Sequence, residues 1–210
     1  MVCEKMIDRL YVLQLERGFF TPRLASKMLC IAKSDAKKMI REMLDKGFVR
    51  EVEGKKGRYM LSKKGRKMVR VGLTGGCFDI LHAGHIKMLE SAKKLCDVLV
   101  VVIASDETII KEKNRQAVFD EKERKMLVGA IKYVDFVIIG SKSMNIKSVI
   151  ERVKPDIIIF GKDQKKLEER VKELIPRLKI KPKIKRIGTW VKGKKSSKIR
   201  SWLAKLNSAY

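Results

Sequence analysis

The sequence predicts an α/β protein: a doubly wound parallel sheet over residues 68–210, preceded by a smaller domain of helices and a β-hairpin over residues 1–67. Three observations carry that expectation. From Val69 onward, short apolar strand-like runs alternate with segments of helical spacing, the pattern of consecutive βα units. Asp97 to Ala104 is almost continuously apolar, as in a strand covered on both faces of a parallel sheet. Before Val69 the periodicity is helical and ends in a turn-rich basic stretch, Ser62 to Lys67, where the domain boundary is placed.

Taken in order, Met6, Ile7, Leu10, Tyr11 and Leu13 follow the spacing of an amphipathic helix, which Gly18 closes. Thr21-Pro22 reads as an N-cap followed by proline at the first helical position, opening a short helix through Met28 and Leu29. Ser34 is the expected cap of a third helix carrying Met39, Ile40, Met43 and Leu44, with Gly47 as its stop. Phe48 to Val52, a turn over Glu53 to Gly57, and Arg58 to Leu61 read as a β-hairpin. Three helices and a hairpin closing in YMLSKKG resemble a winged helix-turn-helix domain. In such a unit one helix docks its apolar face on its neighbours and presents the other to the major groove. The candidate DNA contacts are therefore Lys37, Lys38 and Arg41 on the third helix and Lys55, Lys56 and Arg58 on the hairpin, acting on backbone phosphates. The same architecture also serves for packing or for forming a homodimer.

In the second domain, Val69 to Leu73 is a short strand ending in a glycine-rich turn, Thr74 to Asp79. A helix follows with Ile86, Leu89, Ala92 and Leu95 on one face, then the strand Asp97 to Ala104. Glu121 to Ile131 reads as helix, Val134 to Ile139 as strand, Ile146 to Val153 as helix, and Ile157 to Phe160 as strand. Leu167 to Leu174 is helical, Ile184 to Ile187 a last strand and Ser196 to Leu206 a last helix. Ligands of such a sheet bind at the carboxyl ends of its strands.

Composition narrows the function. Hydrophobic residues make up 45% of the chain and charged residues 35%, enough for a packed core and against wholesale disorder. Lys and Arg number 50 against 24 acidic residues, a net charge of +26 that excludes an acidic, calcium-buffering protein and points to an anionic partner. Residues 1–70 hold +11 of it, 71–167 only +4, and 168–210 the remaining +11. The cysteines Cys3, Cys30, Cys77 and Cys96 lack CxxC spacing, so neither a disulfide scaffold nor a zinc site is expected. The first residues do not read as a secretory signal, and the longest apolar run, Val98 to Ala104, is far short of a membrane span. A soluble, cytoplasmic protein without membrane contact is the expectation.

The two histidines of the chain, His82 and His85, lie between the glycine-rich turn and the helix that follows it. Backbone N–H groups and the positive end of a helix face an anion there, imidazoles can donate to phosphate oxygens, and Gly84 admits close approach. No third ligand completes a metal site. The stretch LTGGCFDILHAGHIKMLESAKKLCD resembles the nucleotidyltransferase superfamily marked by HxGH, and within it the cytidylyltransferase-like group. Gly76, Phe78, Asp79, His82, Gly84 and His85 occupy every fixed position of that group's G-x-F-D-x-x-H-x-G-H. The likeness continues through VVVIASDETI, EKERKMLVGAIKYVDFVIIG, KPDIIIFGKDQ and KKSSKIRSWL, spanning residues 69–206.

The resemblance implies a Rossmann-like domain in which an acceptor phosphate attacks the α-phosphorus of ATP or CTP, with Mg²⁺ on the triphosphate. It assigns His82, His85 and Arg124 to catalysis, and Gly75, Gly76, Cys77, Phe78, Asp79, Gly84, Asp163, Ser196, Ser197 and Arg200 to nucleotide binding. Lys111, Lys113 and Arg115, placed in a loop after the second strand, are candidates for the acceptor phosphate. Glycerol-phosphate cytidylyltransferases and ADP-heptose synthases share parts of this pattern. Archaeal FAD synthases share the ASDET-like segment, the PDIIIFGKDQ-like strand end and the K-S/T-S-K-I ending, with Lys162 as a departure, so FMN is the first expected acceptor and a small alcohol phosphate with CTP the second. A different class stays open: a winged-helix DNA-binding regulator whose α/β domain senses a nucleotide.

Overall fold

The computed structural model describes residues 2–141 and 145–188, together with Ile199 and Ser201. The chain divides into two compact units, Met1–Arg70 and Val71–Tyr210.

The first unit comprises α1 (Val2–Arg17), α2 (Pro22–Leu29), α3 (Lys33–Asp45), β1 (Val49–Val52), β2 (Lys55–Leu61) and α4 (Lys63–Arg66). Its core gathers Ile7, Leu10, Tyr11 and Leu13 of α1, Phe20, and Ala36, Met39, Ile40 and Met43 of α3. Thr21 caps α2 as its sequence suggests, Oγ1 accepting the Leu24 N–H at 3.2 Å. Ser34 does not cap α3. That helix begins at Lys33 behind Ala32 with no side-chain cap, its phase set by the buried face around Met39 and Ile40. The hairpin turn is also tighter than expected, since only Glu53 and Gly54 separate the strands. Gly54 and Gly57 take positive φ, and the Glu51 carboxylate accepts the Gly57 N–H at 2.5 Å where the register shifts. Phe20 joins the hairpin by exchanging two 2.8 Å hydrogen bonds with Tyr59. The stretch Ser62 to Lys67, expected as a link, is instead a capped helical turn. Ser62 Oγ accepts the Gly65 N–H at 3.1 Å, and a Cβ on Gly65 would stand 2.0 Å from the Phe48 carbonyl oxygen.

The second unit runs β3 (Val71–Gly76), α5 (Ala83–Lys93), β4 (Val98–Ile103), α6 (Asp106–Lys113), α7 (Glu121–Gly129), β5 (Phe136–Ile139), α8 (Ile146–Val153), β6 (Ile157–Phe160), α9 (Lys165–Leu174), a 3-10 turn at Ile175–Arg177 and β7 (Lys183–Arg186). Its five strands lie parallel in the order β5-β4-β3-β6-β7. The chain winds outward from β3 on one side, then returns to its other side, so the switch in winding falls between β3 and β6. The β-branched run of β4 is buried beside Leu89 and Ala92 of α5, Val128 of α7 and Ile159 of β6.

Two expectations change here. The glycine-rich segment is not turn from Thr74 onward. Thr74, Gly75 and Gly76 pair with Val101, Val102 and Ile103 and extend β3, and the chain leaves the sheet only at Cys77. The segment after β4 is not a loop but α6, so Lys111 and Lys113 are helical. The last helix expected over Ser196 to Leu206 lies outside the described residues apart from Ile199 and Ser201. Among the described residues no helix is long and apolar enough to cross a membrane.

Candidate active site

The carboxyl end of β3 meets the start of α5 in a turn that only certain residues fit. A Cβ on Gly75 would approach the Val102 carbonyl oxygen to 3.1 Å, and one on Gly76 would meet the Phe78 ring at 3.0 Å. Phe78 takes a left-handed φ of 48°, and its ring is buried against His85 with centroids 5.2 Å apart. Asp79 is also buried. Its two oxygens accept the Val118 N–H at 2.6 Å and Arg115 Nη1 at 2.7 Å. Asp79 thus secures the 115–118 segment to the turn, and Arg115, expected at the acceptor phosphate, pairs with it through Nη1.

His82 and His85 form the N-terminal capping box of α5. His82 Nδ1 accepts the Gly84 N–H at 3.1 Å, while the His82 N–H donates to His85 Nδ1 at 3.3 Å. Because each Nδ1 accepts a hydrogen bond, each neutral ring carries its proton on Nε2. The caps therefore select two Nε2–H donors at the positive end of a helix, their rings 4.0 Å apart. Burial, with the neighbouring His82 adding to it, lowers the pKa of His85 to about 4. His85 is neutral at pH 7. Asp163 opposes that shift and Lys113 adds to it, so both charges act on this ring.

Arg124 does not reach the mouth of this turn. It is fully buried, and four of its five N–H donors are held by protein oxygens. Nε donates to Phe119 O at 3.0 Å, Nη1 to Cys77 O at 2.7 Å and Ala104 O at 2.8 Å, and Nη2 to Asp106 Oδ1 at 2.6 Å. It ties the ends of β3 and β4 to the first turns of α6 and α7. Those two helix starts cap each other: Asp106 N–H donates to Glu121 at 3.0 Å, and Glu121 N–H to Asp106 at 3.2 Å. Arg124, expected at the nucleotide phosphates, thus lies buried behind the glycine-rich turn and braces it through these four hydrogen bonds.

The end of β6 forms the opposite side of the switch. Gly161 is buried there, Lys162 and Asp163 are exposed, and Gln164 spans to β3 by donating to Gly75 O at 2.6 Å while its Oε1 accepts the Gly161 N–H at 2.8 Å. Lys111 and Lys113 are exposed on α6, and Cys77 is a free, half-buried thiol. Ser196, Ser197 and Arg200 lie outside the described residues. In the first unit, Lys37, Lys38, Arg41, Lys55, Lys56 and Arg58 are all exposed, with Arg58 stacked 4.4 Å over Phe19. Sequence reasoning missed Asp106, Glu121 and Gln164. The spacings Ser105-x-x-Thr108 and Asp120-x-x-Glu123 signal the two helix starts; Gln164 has no local signal, because its role arises from how two distant strands meet.

Residues 73–205 match the profile of the cytidylyltransferase-like family. The chain belongs to that family. As a cytidylyltransferase-like protein it is a nucleotidyltransferase, and its glycine-rich turn with His82 and His85 lies inside the matched region. It is 42% identical over 127 residues to a FAD synthase of Thermococcus onnurineus (strain NA1), an alignment covering 60% of this chain and 84% of that one. With a FAD synthase of Thermococcus kodakarensis it shares 43% over 122 residues, covering 58% and 81%. Among solved structures it resembles a lipopolysaccharide core biosynthesis protein from Thermoplasma volcanium GSS1, with 43% identity, a TM-score of 0.54 and coverage of 59% of this chain and 99% of that one. Pantoate-beta-alanine ligase from Francisella tularensis, at 16% identity and a TM-score of 0.50 over 64% of this chain and 66% of that one, is similar in fold alone.

Proposed function

We propose that this nucleotidyltransferase is an FMN adenylyltransferase, making FAD and pyrophosphate from ATP and FMN. The observation that carries the reaction is the His82–His85 capping box, which presents two imidazole Nε2 donors, the His85 ring neutral, and a helix N-terminus at the end of β3. The identity to FAD synthases supports FMN as the acceptor. An oxygen of the FMN phosphate attacks the α-phosphorus of ATP, the bond from that phosphorus to the bridging oxygen breaks, and pyrophosphate leaves with the electron pair. No covalent enzyme intermediate is required, so the protein's work is alignment and stabilisation of developing charge.

His82 and His85 would donate from Nε2 to the triphosphate, with Gly75, Gly76, Cys77, Phe78 and Gly84 allowing close approach. Asp79 and Arg124 would hold the turn in shape from below, and Lys111 and Lys113 would attract the acceptor phosphate. Ser196, Ser197 and Arg200 complete the reading as holders of the β- and γ-phosphates. Magnesium would arrive as part of the ATP substrate. In that reading the ion is held mainly by phosphate oxygens and water.

Incubating the protein with ATP or CTP and a panel of acceptor phosphates, and measuring pyrophosphate, tests this directly. ATP with FMN should give release and FAD; release only with CTP and glycerol 3-phosphate would replace FMN by the smaller acceptor.

A second reading concerns the first unit alone. The α1-α2-α3-hairpin order, the Phe20–Tyr59 bridge and the exposed Lys37, Lys38, Arg41, Lys55 and Lys56 support a winged helix-turn-helix that contacts DNA. A shift of duplex DNA by the full chain at low salt is the expected result, and no shift removes the reading. DNA binding without any turnover would make the chain a nucleotide-sensing regulator. A homodimer formed through this first unit is the alternative use of the same architecture, and light scattering tests it.

A further inference from the structure

Three of the four strand junctions in the five-stranded sheet close in the same way. At each, the last paired carbonyl accepts from the residue one beyond its partner: Gly76 O from the Ala104 N–H at 2.9 Å, Ile103 O from Gly140 at 2.7 Å and Phe160 O from Ile187 at 2.9 Å. The junction between β3 and β6 is different. Its register, Gly72 with Ile157 and Leu73 with Ile158, would bring Gly75 O to the Gly161 N–H at the corresponding step. The two groups do not meet. The carboxamide of Gln164 stands between them, Nε2 on Gly75 O at 2.6 Å and Oε1 on the Gly161 N–H at 2.8 Å.

A carboxamide carries a peptide-like N–H donor and C=O acceptor on one rigid plane, so it satisfies both backbone groups while keeping the strands one group apart. Pairing between β3 and β6 covers two residues, against six between β3 and β4. The strands therefore splay where the winding reverses, and this is where ligands of doubly wound sheets bind. Gly161 allows the turn to fold back, since a Cβ there would meet Asp163 Oδ1 at 3.3 Å and Gln164 Oε1 at 3.6 Å. Gly75 is on the turn that leads to His82 and His85; Gly161 begins the turn that carries Asp163, whose charge acts on His85.

We infer that Gln164 is a positioning residue that fixes the width of the β3–β6 crevice, splicing the triphosphate-side turn to the opposite wall through its carboxamide. The inference rests on the nucleotidyl-transfer reading of that crevice. Gln164 touches no reacting atom; it sets the separation at which the two sides hold their substrates, and so governs the rate of transfer more than the binding of either one.

Two substitutions separate this role from general support. Gln164→Glu keeps size and the acceptor for Gly161, but as a carboxylate it loses the donor to Gly75 O; protonated, it regains that donor. Gln164→Met keeps bulk and loses both bonds. At pH 7.5 each variant should lower kcat for pyrophosphate release from ATP and FMN by about 100-fold with KM changed less than about threefold, the scale expected from misplacing reactants by an ångström. Toward pH 5 the deficit of Gln164→Glu should shrink at least about tenfold relative to wild type, and that of Gln164→Met should not, while His85 stays neutral throughout. A Gln164→Glu deficit independent of pH, or a loss confined to KM, overturns the inference. If Gln164→Met does not fold, the pH series of Gln164→Glu decides alone. Amide hydrogen exchange needs no substrate: Gly161 should exchange faster in Gln164→Met than in wild type while the β4 amides are unchanged, and equal Gly161 protection also overturns the role. Wild-type protein that releases no pyrophosphate with FMN would instead refute the FMN reading, leaving the exchange result to judge Gln164.

Discussion

At His85, two demands act on one side chain. It must sit close enough to the backbone to accept the His82 N–H, and that placement removes water from the ring and lowers its pKa to about 4. Unfolded, the same imidazole protonates near 6.5. Between those values the unfolded chain binds more protons, so this contribution to stability is complete above pH 6.5 and is lost as pH falls through 4. The loss should be on the order of 1–2 kcal/mol once partial exposure is allowed for, and smaller in His85→Asn. Urea unfolding at pH 7 and pH 4.5 measures it, and an imidazole resonance of His85 that titrates near 6.5 would contradict the assignment. At His82, capping and chemistry can be separated. His82→Asn retains a good N-cap, so stability should change by less than about 1 kcal/mol, while pyrophosphate release falls at least about 100-fold from loss of a charge-stabilising donor. Equal activity would leave His82 as a cap alone. The residues of the HxGH stretch were legible because glycines and histidines at fixed spacing carry their chemistry locally; the tautomers were not, because they depend on where each Nδ1 finds its partner.

Among the elements, α6 shows where periodicity fails. Over Asp106–Lys113 its apolar residues are Ile109 and Ile110, of which Ile110 is exposed, so no stripe marks it. Its start is fixed by polar partners instead: Ser105 Oγ on the Thr108 N–H at 3.2 Å, and the crossed bonds with Glu121. Arg124 sits at the centre of that arrangement, fully buried with its guanidinium on four protein oxygens. Arg124→Lys should destabilise the protein by about 3 kcal/mol, because one ammonium cannot replace the guanidinium fork inside a buried network. Denaturant unfolding tests this, and a change below about 1 kcal/mol would count against the brace. A second element-scale test is Gly72→Ala. The new Cβ would lie 2.6 Å from Cys96 Sγ, so β3 and the connection from α5 to β4 must separate, at a cost of about 1–3 kcal/mol that Cys96→Ala should partly relieve. Cys96 itself, its thiol pushed up to about 12 by burial, should resist alkylation at pH 8 under conditions that modify the exposed Cys30.

For the whole molecule, the distribution of charge says more than its total of +26. Residues 71–167, which carry the histidines, hold +4, so the candidate active site relies on placed donors and not on a general basic field. The first 70 residues hold +11, with exposed lysines and arginines on α3 and the hairpin. If that face meets DNA, replacing Lys37, Lys38 and Arg41 by Ala should reduce the slope of log affinity against log salt by about 2–3, one step per lost phosphate contact. Pyrophosphate release should stay unchanged, since none of the three belongs to the second unit; an unaltered slope would remove them from the interface. The α/β class, the order of most elements and the HxGH stretch are legible in the residues alone, because hydrophobic period, turn residues and a compact phosphate-binding segment are all written within a few tens of residues. The meeting of distant elements settled that Arg124 is buried on protein oxygens, that Arg115 pairs with the buried Asp79, that two helix starts cap each other, and that Gln164 stands between β3 and β6. Each of those depends on which backbone groups strands and helices far apart in the chain leave to be satisfied, and that is fixed only when they meet.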